Sequence, residues 1–408
     1  MPVTATYYVE TRISLTEAVA RIANEQSGGL TDNDIARFGQ EGVQRGTAEI
    51  LSIEACDPLG PELQLPVSYP IGTPPEALKS CRATVRYPDV SFEAGTEAVL
   101  NVVMGEPQNL GVVSAIRLLN LTFDTHESMS GPRRGLRGLR QRLRVASRAM
   151  LCAPIKPSTG LDMDEHVERG RLAANGGSDV VKDDELCLDT CYNPLEQRVP
   201  RLTAALRRIE DDSGEGRLYV ANLIGSRSGL HRRLDKVLSH GAEAVMVAPS
   251  LMGFDVVDDV RHHADVIVFA HSTFTLSFAR VRNFGISLPL WVRLQRLLGA
   301  DCILLPSHGG SFGVAALDTR QCVRECLDTH GFDGIQPTMP AHSGSMNAHT
   351  FELMEHLSDG DDFMFTSGSG LFDHPDGPEA GARELRQVIE GGNNGGNVAW
   401  LKAWQPHD

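Results

Sequence analysis

Lysine is the scarcest charged residue in this chain of 408 residues, with five lysines against 33 arginines. Acidic side chains number 53, so the formal net charge at pH 7 is −15. This excess argues against a nucleic acid as the main partner, because such binding depends on basic side chains that neutralise phosphates. Lysines this few can be considered one by one: they are Lys79, Lys156, Lys182, Lys236 and Lys402.

Long apolar runs and paired cysteine motifs are also missing. No stretch reaches the ~18 apolar residues that a membrane helix needs, and the first residues lack the basic and apolar pattern of a secretory signal. The eight cysteines include no C-x-x-C motif. The pairs Cys187/Cys191 and Cys322/Cys326 are spaced as helical neighbours or buried thiols rather than as a metal or redox centre. We therefore expect a reduced, cytoplasmic location and no membrane partner.

Residues 150–400 alternate between short apolar, β-rich runs and amphipathic stretches of helical period. Near-continuous apolar runs predict parallel strands that are buried on both faces. Eight such units over about 250 residues predict a (β/α)8 barrel, whereas an open doubly wound sheet would call for a G-x-G-x-x-G motif that is absent. The eight predicted strands are 150–158, 178–185, 217–225, 242–250, 264–272, 301–310, 334–344 and 363–370.

The first part of the chain has a different pattern. It predicts a smaller α+β domain over residues 1–135, followed by the barrel domain over residues 136–408. An arginine-rich segment, 131–148, marks the junction, and we interpret it as a solvated or interface helix rather than a polyanion site. Within the first domain the predicted elements are a helix at 15–27, strands at 62–71, 80–90 and 97–106, and a helix running into a strand at 110–123.

Chemically active side chains in such barrels lie where the strands end. The second predicted strand ends in Lys182, which three carboxylates follow. These carboxylates favour a charged ammonium, whereas a Schiff-base lysine must lose its proton readily. A carbamate formed on Lys182 from CO2 would instead be an anionic ligand, and with Asp184 and Glu185 it could hold Mg²⁺. An exposed charged turn explains the same residues equally well.

Small residues follow the seventh and eighth predicted strands. Their backbone N–H groups suit a phosphate, which such barrels commonly bind at this place, although plain turns are also rich in serine and glycine. These residues are Ser343, Gly344, Ser345, Gly368, Ser369 and Gly370.

Two motifs resemble those of the RuBisCO large-subunit superfamily. Residues 156–161, KPSTGL, are similar to its K-P-x-x-G-L motif, and residues 176–185, GGSDVVKDDE, match its G-G-x-D-x-x-K-D-D-E signature. The junction sequence GPRRGL, at residues 131–136, is similar to another family segment. The similarity extends over nearly the whole chain.

The resemblance implies a set of roles. Lys182 would be the carbamylated metal ligand, with Asp184 and Glu185 completing the Mg²⁺ site. Lys156 would lie near the reacting carbons, His271 would contact the substrate, and the serine and glycine loops would bind a phosphate. Family members form homodimers in which the N-terminal domain of one subunit caps the barrel of the other, so Asn109 would act on the partner's site.

Departures from the carboxylases point to the non-carboxylating, RuBisCO-like branch (form IV). Ser158 stands where carboxylases carry a second lysine, and Ser272 stands where they carry a phosphate-binding arginine. The loop 307–318 contains no lysine, although the carboxylases use a lysine there to stabilise the added CO2. The resemblance thus argues against a bisphosphate substrate and against CO2 fixation.

The predicted function is Mg²⁺-dependent enolisation of a phosphorylated ketose-like sugar, with the Lys182 carbamate or Lys156 as the base. The branch includes 5-methylthioribulose-1-phosphate isomerase, 3-oxo-isoapionate-4-phosphate decarboxylase and diketo-methylthiopentyl-phosphate enolase, and the sequence does not choose among them. Two other hypotheses stay open: a Schiff-base aldolase built on Lys182 or Lys156, and a catalytically silent relative with a regulatory role. His308 could be an acid, a lid residue or an ordinary loop histidine.

Overall fold

The structure is a computed structural model that describes residues 2–27, 37, 46–60, 76–88, 95–124 and 129–391. The chain divides into two compact units. One consists of Met1–Met129 and Thr275–Leu294, and the other of Ser130–Phe274 and Gln295–Asp408. Within the described residues, no helix is both long enough and apolar enough to cross a membrane.

The first unit is built on a five-stranded sheet. Its strands are β1 Val3–Thr11, β2 Glu49–Cys56, β3 Lys79–Tyr87, β4 Val113–Phe123 and β10 Gly285–Ile286. Their spatial order is β10-β4-β1-β3-β2. Neighbouring strands pair antiparallel, except that β10 runs parallel to β4. The helix Leu15–Glu25 buries Ala18, Val19, Ile22 and Ala23, which recur with helical spacing.

Two predictions for this unit are wrong. Residues 97–106, predicted as a strand, lie largely in the helix Thr96–Met104, where Val99 and Val103 are buried one helical turn apart. Here the period of the buried positions outweighed the strand preference of valine. In the segment 110–123, predicted as a helix running into a strand, the strand is confirmed as β4, but the helix is wrong, because the 3-10 turn Pro107–Asn109 ends before this segment begins.

The other predictions for this unit have mixed outcomes. The helix predicted at 15–27 is confirmed, and the strand predicted at 80–90 corresponds to β3, although residues 89–90 lie outside the described residues. The strand predicted at 62–71 falls outside the described residues altogether. Strands β1 and β2 were not predicted, although β1 lies between β3 and β4 in the sheet.

The second unit is a closed barrel of eight parallel strands, so the predicted α/β fold with a (β/α)8 barrel and an α+β domain is confirmed. Each predicted apolar run contains one barrel strand. The barrel closes because its last strand pairs with its first, which leaves no open edge in this sheet. The strands are β5 Met150–Pro154, β6 Val180–Lys182, β7 Leu218–Asn222, β8 Ala244–Val247, β9 Ile267–His271, β11 Cys302–Pro306, β12 Met339–Ser343 and β13 Met364–Thr366.

Amphipathic helices connect these strands. The longer ones are Met163–Asn175, Leu195–Ser213, Leu230–Ser239, Val256–His263, Leu288–Leu297, Ala316–Leu327, Phe351–Ser358 and Pro378–Ile389. Short helical turns occur at Arg227–Gly229, Pro249–Met252, Leu276–Ala279, Ala348–Thr350 and Ser369–Phe372.

The arginine-rich junction forms the helix Gly135–Leu143, whose Leu139 and Leu143 belong to the same core cluster as the inward-facing barrel residues. The buried carboxylate of Asp301 accepts hydrogen bonds from the backbone N–H groups of Arg134, at 2.6 Å, and Gly135, at 2.8 Å. Orphan donors at a helix start are stabilised by such a carboxylate. The helix therefore docks on the barrel and supplies part of its core.

Candidate active site

Successive side chains of a barrel strand point alternately into the barrel and out of it. This alternation determines which side chains point inward at the carboxyl ends of the strands. Val180, Val220, Phe269 and Ala341 belong to the barrel core. Because side chains alternate with a period of two, the residues two positions further on also face inward, at the mouth. These mouth residues are Lys182, Asn222, His271 and Ser343.

Lys182 is buried, with its side chain only 1% exposed. Its Nζ donates to the backbone carbonyl of Asp183 at 2.9 Å and lies 3.5 Å from Sδ of Met246. Oε2 of Glu185 lies 4.0 Å from the same nitrogen. The buried amine thus has Glu185 as its nearest carboxylate, and its charge also acts on Asp184.

Asp184 and Lys156 form the closest ion pair of the site, with Nζ of Lys156 2.6 Å from Oδ2 of Asp184. Nζ also donates to Oγ of Ser158 at 2.8 Å. Burial by itself would raise the pKa of Asp184, but the charges of Lys182 and Lys156 outweigh it and hold that pKa below its ordinary value. Asp184 is therefore an anion at neutral pH.

His271 approaches Glu185 from the other side, with Nε2 3.4 Å from Oε2. Its Nδ1 accepts a hydrogen bond from the backbone N–H of Thr273 at 3.0 Å, which leaves the ring proton on Nε2. Burial, reinforced by the charge of Lys182, lowers the pKa of His271 to about 4. The imidazole is thus neutral and presents an N–H to Glu185.

The structure therefore brings Lys182, Asp184, Glu185, Lys156 and His271 together at one end of the barrel. Mg²⁺ prefers oxygen donors. Two carboxylates supply them here, and the amine of Lys182 would supply another as the carbamate that it forms with CO2. Glu185 is partly exposed, at 29% of its side chain, which leaves room for water or substrate oxygens. The donor set fits a hard divalent cation held by Lys182, as its carbamate, with Asp184 and Glu185.

Asp183 differs from its two acidic neighbours, because it points out of the barrel. Its carboxylate accepts hydrogen bonds from the buried guanidinium of Arg198, at 3.0 and 3.2 Å, and from the Tyr219 hydroxyl at 2.7 Å. His166 lies 3.0 Å away, and the backbone N–H of Asn222 donates at 3.0 Å. The Arg198 and His166 charges outweigh burial, which would raise the pKa of Asp183, and hold that pKa well below its ordinary value.

His166, Asp183 and Cys187 also bring three potential metal donors within 4.8 Å of one another. Asp183 is already saturated by the neighbours just described. Burial raises the pKa of the Cys187 thiol to about 12, so this sulfur is a neutral, packed thiol. We interpret this cluster as the structural support of the loop that carries Asp184 and Glu185.

Asn222 is a second supporting residue that the sequence interpretation missed. Its side-chain Nδ2 contacts three backbone carbonyls, those of Asp184 at 3.2 Å and of Glu185 and Cys187 at 3.1 Å. Its Oδ1 accepts from the backbone N–H of Ile224 at 2.9 Å. A polar residue that ends the buried strand β7 was the available signal for it.

The serine and glycine loops after β12 and β13 lie together. Oγ of Ser367 donates to the carbonyl of Met346 at 2.7 Å, which ties one loop to the other. Ser343 and Ser345 use their hydroxyls on neighbouring loop atoms, the Leu305 carbonyl and the Ser311 hydroxyl. A Cβ on Gly368 would come within 2.9 Å of Cε of Lys156, so this loop also touches the ion pair. Gly344, Ser369 and Gly370 lie in the same two loops.

At Gly310, the loop after β11 packs directly against the loop after β12. A Cβ at this position would lie 1.7 Å from the carbonyl oxygen of Gly344, so Gly310→Ala must displace one of the two backbones. We expect the variant to raise KM for a phosphorylated substrate about tenfold or more, measured by steady-state kinetics. Gly46→Ala is the matched control, because its Cβ would meet nothing within 4 Å. An unchanged KM in Gly310→Ala would contradict a phosphate-binding role for these loops.

Two further candidate residues have local partners. Nδ1 of His308 donates to the carbonyl of Val314 at 2.8 Å, and its backbone N–H donates to Oγ1 of Thr319 at 3.0 Å, so the imidazole braces its own loop. Asn109 ends the 3-10 turn of the first unit, where its Nδ2 donates to Glu106 at 2.6 Å.

Comparison with known proteins agrees with these observations. Residues 135–405 match the family described as ribulose bisphosphate carboxylase large chain, catalytic domain. A curated relative, ribulose bisphosphate carboxylase-like protein 2 of Rhodopseudomonas palustris, is 32% identical over 375 residues, or 91% of this chain and 85% of the relative. The 2,3-diketo-5-methylthiopentyl-1-phosphate enolase of Geobacillus kaustophilus is 28% identical over 394 residues, covering 95% of this chain and 92% of the enolase.

Solved structures give the same result. A rubisco-like protein from Burkholderia fungorum superposes with a TM-score of 0.84 at 26% identity, covering 98% of this chain and 96% of that one. A rubisco-like protein from Alicyclobacillus acidocaldarius superposes with a TM-score of 0.82 at 27% identity and the same coverage. The resemblance seen in the sequence motifs is confirmed, and the chain belongs to the ribulose bisphosphate carboxylase large-chain family.

Proposed function

We propose that the chain is a Mg²⁺-dependent enzyme of the RuBisCO-like type that enolises a phosphorylated ketose-like sugar, as an isomerase, decarboxylase or enolase. The observation that carries this proposal is the pair of contact groups at the barrel mouth. Lys182 lies beside Glu185, Glu185 contacts His271, and Asp184 contacts Lys156. Relatives named as diketo-methylthiopentyl-phosphate enolases support the reaction class.

In this proposal the Lys182 carbamate, Asp184 and Glu185 hold Mg²⁺, which when bound stabilises the negative charge of an enolate. The chain's own groups do the rest. His271 offers a neutral N–H that fixes the Glu185 carboxylate. Lys156 or the Lys182 carbamate removes the proton alpha to the substrate carbonyl.

The proposed reaction does not include CO2 fixation. Ser158, in place of the second lysine, accepts the hydrogen bond of Lys156 and carries no charge of its own. The loop 307–318 has no lysine to stabilise an added CO2. Ser272 cannot replace an arginine that binds a second phosphate, which supports a monophosphate bound by the loops after β12 and β13.

We also propose a homodimer in which the N-terminal domain of one subunit covers the barrel mouth of the other, so that Asn109 acts on the partner's site. Large exposed apolar side chains support this arrangement, because those of the barrel unit lie in the loops or helix starts that follow strand ends, and exposed apolar patches mark interfaces. They are Leu186, Leu188, Tyr192, Leu251, Phe274, Phe312 and Leu317.

The test is an assay of the purified protein against the three branch substrates and ribulose 1,5-bisphosphate, with and without Mg²⁺ and bicarbonate. We expect turnover of one monophosphate, dependent on both additions, and no carboxylated product. Trapping of substrate on Lys182 or Lys156 by borohydride, together with turnover in a chelator, would favour the Schiff-base aldolase instead. If no substrate turns over and mass spectrometry finds no carbamate on Lys182, a catalytically silent role is favoured.

A further inference from the structure

Both carboxylate oxygens of Asp184 already have partners in this structure. Oδ2 contacts the ammonium of Lys156 at 2.6 Å, and Oδ1 accepts from the backbone N–H of Leu186 at 3.1 Å. The side chain of Asp184 is 2% exposed, whereas that of Lys156 is 26% exposed. Each oxygen keeps a further lone pair, but a divalent cation on Oδ2 would lie beside the Lys156 ammonium, and the repulsion between these like charges opposes their binding Asp184 together.

The Lys156 contact is the more easily replaced of the two. Leu186 N–H belongs to the loop whose carbonyls Asn222 holds, so moving it would break several hydrogen bonds. The ammonium of Lys156 ends a flexible stem and keeps a second partner, Oγ of Ser158 at 2.8 Å. It can leave Asp184 without losing all of its hydrogen bonds.

The backbone and side-chain stem of Lys156 are held by their neighbours. Its backbone carbonyl accepts a hydrogen bond from Arg169, and its side-chain stem packs against Gly368, which has no side chain to block it. An ammonium that leaves Asp184 thus stays at the barrel mouth, beside the loop after β13.

Charge balance is consistent with both states of Lys156. Two ammonium groups, of Lys156 and Lys182, face two carboxylates, of Asp184 and Glu185, so the set is neutral as it stands. A carbamate on Lys182 and a divalent cation change the charge by −2 and +2, so loading of the site leaves the total charge of the set unchanged. No uncompensated buried charge arises in either state.

We propose that Lys156 is a built-in competitor of the metal for Asp184, and that loading of the site releases its ammonium toward the substrate. This inference rests on the proposed Mg²⁺ site. It makes the free ammonium of Lys156 available only when the site is loaded, which couples the positioning of Lys156 to metal binding.

The test measures the affinity for Mg²⁺ itself by calorimetry at saturating bicarbonate and fixed pH. Lys156→Met removes the competing charge and is expected to bind Mg²⁺ about tenfold more tightly than the wild type. Ser158→Ala removes the alternative partner and is expected to bind it several-fold more weakly. Lys236→Met is the matched control, because Lys236 pairs with Glu196 on the surface and the charge change is the same. A circular dichroism melt of each variant verifies its fold.

A second readout follows Lys156 directly. Acetylation by acetic anhydride, quantified by mass spectrometry, is expected to increase at Lys156 when Mg²⁺ and bicarbonate are added and to stay constant at Lys236. Equal or weaker Mg²⁺ binding by Lys156→Met, or unchanged acetylation of Lys156 in a wild type that binds Mg²⁺, would overturn the competition. A wild type that binds no Mg²⁺ would instead overturn the proposed function.

Discussion

Lys182→Met is expected to abolish the Mg²⁺-dependent reaction, with kcat/KM lowered about 1,000-fold or more. The loss of metal charge stabilisation is worth several kcal/mol, and each 1.36 kcal/mol is a tenfold change in rate. Methionine has a similar length, and the Lys182 side chain already lies against Met246. The variant therefore removes the amine that takes up CO2 while the packing of the barrel mouth is kept.

Stability measurements separate this chemical loss from misfolding. A buried ammonium costs free energy unless it is well paired, and the nearest carboxylate oxygen is 4.0 Å from Nζ. Because the Lys182 charge also stabilises the Asp184 carboxylate, the two effects oppose each other, and the melting temperature of Lys182→Met is expected to stay within about 5 °C of that of the wild type. Lys236→Met serves as the control with the same change in charge. Retention of full activity by Lys182→Met would rule out a carbamate on this residue as metal ligand or base.

The barrel was predictable from the sequence because each strand is a short apolar run that stands apart from its neighbours. Strands that are buried on both faces are continuous apolar runs rather than alternating apolar and polar residues. Segments with a clear helical period separate these runs. The first unit lacks this clarity. The helix Thr96–Met104 is short and rich in valine, and β4 is apolar over most of its length, so composition favoured the wrong element in both cases.

In the site, too, some residues could be identified from the local sequence and others could not. The proposed metal ligands lie within four consecutive positions, at Lys182, Asp184 and Glu185. A strand end that charged residues follow can be recognised in the sequence itself. The partners of Asp183 could not be, because Arg198 and His166 come from two different helices and Tyr219 comes from the next strand. Only the folded barrel shows that Asp183 faces outward while Asp184 faces the mouth.

This outward position makes Asp183 a separate test of the structure. We expect Asp183→Asn to lower the free energy of unfolding by about 3–5 kcal/mol, the typical cost of breaking a buried ion pair. Both side chains of the pair with Arg198 are fully buried, so the guanidinium would be left without its counter-charge. Urea unfolding followed by circular dichroism measures the change.

The control is Glu168→Gln, which breaks an exposed ion pair with Arg171 and is expected to cost at most about 1 kcal/mol. The acid dependence gives a further check. Because the folded-state pKa of Asp183 is lowered, its contribution is complete above the unfolded-state pKa of about 3.9 and is lost as the pH falls below that value. The wild type should therefore lose its stability advantage over Asp183→Asn in acid. A difference of less than about 1 kcal/mol at neutral pH would instead mean that Arg198 is held by its carbonyl partners alone, those of Cys187, Leu188 and Asn193.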